Sequence, residues 1–167
     1  MTRKTLLTSI VCGLLLLIGQ PTSLVAASPS LAGSWQFTLT PTSPTPTLSY
    51  PGLATLTTNG SVIETDGTEL SPGPVTTTAA PASATPGHGI WQLGPCMCNF
   101  YVQYFSLVVN TDGSLYATNV TTATVTLAST GTQFSGTYTT IQEAGGSTKE
   151  IASGTISGTL IPHPKLP

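Results

Sequence analysis

From residue 88 to residue 161 the chain repeats one pattern. Short runs alternate apolar residues with hydroxyl or amide residues, and each run ends at turn-forming residues. HGIWQLG (88–94), NFYVQYFSLVVN (99–110), SLYATNVTTATVTLAS (114–129), QFSGTYTTIQE (133–143) and KEIASGTISGTLI (149–161) follow in quick succession. Thr111-Asp112-Gly113, Thr130-Gly131 and the AGGST stretch separate the later runs. A two-residue period places successive side chains on opposite faces of an extended chain, whereas a helix needs a period of about 3.6. No segment outside the N-terminal apolar run carries the helical period, so the reading is all-β.

The first half adds three more strands. Trp35, Phe37 and Leu39 alternate with Ser34, Gln36 and Thr38. GLATLTTNGSVIETDG is two short runs joined by Asn59-Gly60, a dipeptide that tolerates positive φ and marks a tight hairpin. PTSPTPT (41–47) is expected to end the first strand, because proline lacks the ladder donor. Residues 67–88 form a long Pro/Gly/Ala-rich segment, expected to be a loop of the mobile or functional kind. The count is about eight strands with mostly short connections. That is the signature of a single antiparallel up-and-down barrel, whose last strand (GTISGTL) pairs with its first (GSWQFTL). A β-sandwich is the alternative.

The N-terminus has the parts of a signal peptide. Arg3 and Lys4 precede an apolar run over Ile10–Ile18, and Val25-Ala26-Ala27 is a small-residue cleavage site. The apolar run is shorter than the ~20 residues of a membrane span. Residues 1–27 are therefore read as a signal peptide and 28–167 as one exported domain, secreted or periplasmic, with no membrane span after cleavage. Export leaves Lys149 and Lys165 against six carboxylates, a net charge of −4. Nucleic-acid binding needs cations to displace phosphate counterions, and a chain this acidic is excluded from that class. About one mature residue in five is threonine, whose β-branching favours extended structure.

Taken together, GSWQFTLT, TLTTNGSVIETDGTELSPG, TPGHGIWQ and YFSLVVNTDGSLYATNVTTATVTLASTGTQFSGTYTT make the chain resemble small exported bacterial proteins with a calycin-like, lipocalin-like barrel. The shared pattern is a Gly-x-Trp first strand, a Glu-Thr-Asp-Gly hairpin and a Pro-Gly-His-Gly-x-Trp segment, spanning most of residues 33–161. The resemblance implies a calycin-like barrel and carries no established activity. The stretch at 71–84 and the Cys-Met-Cys at 96–98 depart from the pattern.

Four groups of residues are candidates for chemistry. His88, Cys96 and Cys98 bear imidazole and thiol groups that suit zinc or copper. A closed metal site wants about four ligands, and the same cysteines read equally as a disulfide or as structural thiols. The sequence therefore commits to no metal and shows no cofactor motif. His88, between two glycines at a strand start, reads as a general base or as a side chain bonded to loop backbone. Glu64 and Asp66 lie two apart on one strand face, about 6.6 Å apart along the chain. Such a pair can divide acid and base roles, and a solvated strand face explains it as well. Trp35, Phe37, Trp91, Tyr104 and Tyr138 either line a cavity for an apolar ligand or fill a core.

Both faces of 99–110 are apolar, which calls for a cover on the outside: the 67–88 segment or a second copy of the chain. The reading that results is a non-catalytic barrel binding a small apolar or amphipathic ligand. Residues 67–88 would act as a partial lid. The competing readings are a cyclase or isomerase using His88 with Glu64 or Asp66, and a solid-cored surface module.

Overall fold

The computed structural model of the chain describes residues 29–44, 48–67 and 81–162. Nine strands account for most of them: β1 (Gly33–Ser43), β2 (Tyr50–Leu56), β3 (Ser61–Asp66), β4 (Pro81–Ala84), β5 (Gly87–Leu93), β6 (Asn99–Asn110), β7 (Leu115–Leu127), β8 (Gln133–Ala144) and β9 (Ser147–Leu160). The described residues contain no helix, and so none long and apolar enough to cross a membrane.

Every neighbouring pair is antiparallel, in the order β1-β2-β3-β5-β6-β7-β8-β9 and back to β1. This is a closed eight-stranded up-and-down barrel, calycin-like in form, with β4 as an extra strand. The closing ladder pairs Trp35 with Leu160 and Leu39 with Ile156. Closure leaves the eight strands without a free edge along most of their length, which a threonine- and valine-rich sheet needs to stay apart from its neighbours. The Asn59-Gly60 hairpin forms as its sequence requires: Gly60 has φ 90° and donates to Thr57 O at 3.0 Å.

Two expectations about proline are corrected. β1 does not stop before Pro41 but runs on to Ser43, pairing Pro41 with Gly154 and, past a bulge, Ser43 with Ser153. Its pairing with β2 ends at Leu39↔Tyr50, so one edge of β1 is open there, and an open edge tolerates proline. The 67–88 segment is not one loop, since its last residues are strand. β4 lies against Val108–Asn110 of β6, and β5 continues along β6 from His88↔Phe105. Between them, at Thr85-Pro86, the Thr85 hydroxyl accepts the Leu107 N–H at 3.0 Å and Thr85 N–H donates to Leu107 O at 2.9 Å. A side-chain oxygen thus keeps the ladder going past a proline. The lid expected over 67–88 falls for 68–80 outside the described residues.

The alternation divides each strand between an inner and an outer face. Leu31, Trp35, Phe37, Leu56, Val62, Phe100, Val125 and Leu127 fill one end of the interior. The Trp35 indole N–H donates to Leu31 O at 2.8 Å, drawing the segment before β1 across that end. Two glycines turned inward make room for rings. A Cβ at Gly52 would run into the Phe37 ring, and one at Gly158 into the Phe134 ring. Phe134 in turn packs on Trp35, with ring centres 5.1 Å apart.

Candidate functional site

At the other end the inward positions change character. β3 turns Val62, Glu64 and Asp66 inward, and β6 turns Tyr104 inward. β7 contributes Asn119 and Thr121, and β8 contributes Tyr138, Thr140 and Gln142, as their cross-strand pairs require. The hydroxyls of Thr121 and Thr140 are 2.9 Å apart, and Gln142 Nε2 donates to Asn119 Oδ1 at 3.1 Å. The inward hydroxyls and amides are thus bonded to one another, as buried polar groups must be.

Glu64 is the unusual member. It is 5% exposed, so the solvated strand face read from the sequence is overturned for this residue. Its place depends on Gly87, the residue opposite it on β5. A Cβ on Gly87 would run into Glu64 Oε1 and would lie 2.5 Å from Tyr104 Cδ2. Carboxylate and phenol ring share the space that glycine leaves. The Tyr104 hydroxyl is held well above the usual tyrosine range, first by burial and then by the negative charges of Glu64 and Asp66. A hydrogen bond with Thr121 pulls it partly back. Tyr138 is pushed up to about 12, by burial first and then by Asp66 and Tyr50. Tyr104 and Tyr138 therefore both feel the carboxylates at this end. Among the described residues no lysine, arginine or histidine turns into it: Lys149 and His88 are both exposed.

Between the two ends lies a cavity of about 40 Å³ whose free surface is wholly apolar, with Phe37, Ala54, Val62, Val125, Glu64 and Tyr104 among the residues around it. Ligand pockets for drug-sized molecules measure roughly 300–1,000 Å³. The interior as it stands takes a few carbon atoms and not a lipid.

The candidates read from the sequence separate as follows. Phe37 and Tyr104 line the cavity. Trp35 and Tyr138 are buried in the interior but outside that lining. Trp91 is half-buried, packs on Phe100 with ring centres 5.7 Å apart, and donates to Thr57 O at 2.9 Å. Glu64 and Asp66 do share one face, as their spacing requires. His88 does not join them. It pairs with Ile63 while Glu64 pairs with Gly87, so the imidazole stands on the outer side of the wall that holds the carboxylates inside. The proposed proton-transfer pair of His88 with Glu64 or Asp66 is therefore not assembled.

Cys96 and Cys98 are exposed free thiols in the turn between β5 and β6. No three His, Cys, Asp or Glu side chains among the described residues gather to hold a metal, and His88 stands apart from the thiols. On the outer face of β6, Tyr101, Phe105 and Leu107 are 42%, 47% and 45% exposed.

Tyr50, Thr121, Asn119, Thr140 and Gln142 were not singled out from the sequence. Their signal is weak, because inward hydroxyls on β7 and β8 look the same as the outward ones beside them. Only the barrel register distinguishes them. Comparison with family models, with curated proteins and with solved structures finds no match to this chain.

Proposed function

We propose that this is an exported, non-catalytic binding barrel, and that its ligand is a small amphipathic molecule with a cationic head. The position of Glu64 carries the reading. A carboxyl group 5% exposed stands beside an apolar cavity, and Asp66, Tyr104 and Tyr138 turn inward around it. An ammonium group placed there gains from two negative charges where the dielectric is below that of water. It also gains from the negative faces of tyrosine rings. A short alkyl stub fits the 40 Å³ beneath. The signal-like N-terminus and the resemblance to small exported calycin-like barrels support export and the barrel form.

The test starts with native mass spectrometry of the protein from its own host, where a bound guest appears as mass lost on denaturation. Purified protein is then titrated with butylammonium and with butanol, followed by tryptophan fluorescence. Butylammonium is expected to bind, Glu64→Gln to weaken it at least tenfold, and His88→Ala to leave it unchanged. Equal binding of butanol and butylammonium, or wild-type binding by Glu64→Gln, would sink the reading.

A further inference from the structure

The barrel wall has two unlike outer faces. On β7, β8, β9 and β1 the outward positions are mostly hydroxyls and amides, Thr124, Thr137, Ser157 and Gln36 among them. On β2, β3, β5 and β6 they are largely apolar: Leu53, Ile63, Ile90, Tyr101, Phe105 and Leu107 are each 42–59% exposed. Register brings these six together. Ile63 and Phe105 flank His88 in one row across three strands. Leu53 lies diagonal to Ile63, and Ile90 lies diagonal to both Tyr101 and Phe105. Leu107 follows Phe105 on the same face. Diagonal neighbours stand about 7–8 Å apart, within reach of long side chains, so the six form one patch. The other exposed large apolar side chains among the described residues lie at strand ends or in connections.

Three observations choose what covers it. The first is charge. No lysine, arginine, aspartate or glutamate points outward from β2, β3, β5 or β6: Glu64 and Asp66 turn inward, Asp112 sits in the β6–β7 turn, and Glu143, Lys149 and Glu150 sit in the β8–β9 hairpin. A charged partner gains nothing there, whereas two copies of an acidic chain meet there without setting carboxylate against carboxylate. The second is area. Side chains of this size, about half exposed, present on the order of 100 Å² each. The six total roughly 600 Å², the upper end for the largest patch on a monomer. With Thr65, Gln92 and their neighbours at the rim, the face reaches the ~800 Å² that each partner buries in a stable complex. The third is the composition of the connecting segment. Residues 68–80 (TELSPGPVTTTAA) supply only Leu70 and Val75 as large apolar side chains, too few to cover six.

We infer that the outer face of β2, β3, β5 and β6 is a homodimer interface, covered by the same face of a second copy of this chain. The two walls pack face to face about 10 Å apart, as the sheets of a sandwich do. The contact is isologous, with Ile63, Ile90 and Phe105 at its centre and Thr65 and Gln92 at its rim. The interface uses the outside of the wall and leaves the interior untouched, so it stands apart from the ligand reading.

The inference is tested by sedimentation velocity of the full exported chain, which is expected to show a dimer with a Kd in the micromolar range or below. Ile63→Lys and Phe105→Lys each place an ammonium group at an outward position, so the barrel is expected to keep its circular dichroism spectrum. Each is expected to weaken the dimer at least about a hundredfold, because the new charge would be buried unpaired between the copies. Thr137→Lys, outward on the opposite wall, is expected to leave the dimer intact. A wild-type monomer at sub-millimolar concentration overturns the inference. So does a dimer that survives both variants of the apolar face, or one that Thr137→Lys disrupts equally. The other occupants give their own results: a monomer that dimerises only after deletion of residues 69–79 is covered by that segment, and one that floats with phosphatidylcholine vesicles is covered by lipid. Either result overturns the inference.

Discussion

The two ends of the barrel interior are built on the same alternation and come out opposite. At one end the inward side chains are aromatic or aliphatic, and Leu31 and Trp35 close it. At the other the same eight strands turn in two carboxylates, three tyrosines and a set of hydroxyls and amides. Burial of apolar surface contributes about 25 cal/mol per Å², so the first end is where stability resides. A buried carboxylate is unfavourable by the same reasoning unless its surroundings stabilise it.

This contrast is tested most severely at Trp35. Trp35→Ala removes the largest buried side chain and the tie to Leu31, and is expected to destabilise the fold by about 3–5 kcal/mol, measured by chemical denaturation. A loss under 1 kcal/mol would mean the apolar end is not the anchor. Gly87→Val probes the opposite end. Its side chain must displace Glu64 and the Tyr104 ring, so a smaller loss of about 1–3 kcal/mol is expected, together with loss of butylammonium binding.

Alkali is expected to act on the acidic end alone. Tyr104 and Tyr138 hold their protons more tightly folded than unfolded, where tyrosine titrates near 10. The stability linked to them is therefore fully present below pH 10 and is lost as pH climbs toward 12. Absorbance at 295 nm should show at least two of the five tyrosines ionising late. Glu64→Gln should move the Tyr104 transition to lower pH by removing one of the charges that raise it. An unmoved transition would separate the two residues electrostatically. The smallest effect is expected on the outer wall, where His88→Ala should change stability by no more than about 0.5 kcal/mol.

Much of this architecture is legible in the sequence because turns and periods are local. β6 spans Asn99–Asn110, the same twelve residues that the apolar run bounded by turn residues marks, and the Asn59-Gly60 hairpin sits where the dipeptide places it. Pro41 and the 81–88 stretch were misread for a shared reason. Whether a proline disrupts a ladder depends on which neighbour stands beside it, and that neighbour is far away in sequence. Glu64 was misplaced for another. Val62 and Ile63 are both apolar, so the strand pattern does not say which face is inside until the barrel decides.

The ladder between β1 and β9 has a consequence in time. The other neighbouring strands of the wall follow one another in the chain, β3 and β5 across residues 67–86, so their pairing does not wait for the last strand. The seam joins the first strand to the last, and its pairs cannot form until residues 147–160 have emerged. Until then β1 and β8 each present a bare, threonine-rich edge, the form most able to recruit a second chain. A nascent barrel of this kind is most vulnerable just before it is complete. Any delay in delivering β9, whether by slow synthesis or by a cut in the 145–146 turn, leaves open an edge that the finished protein never shows.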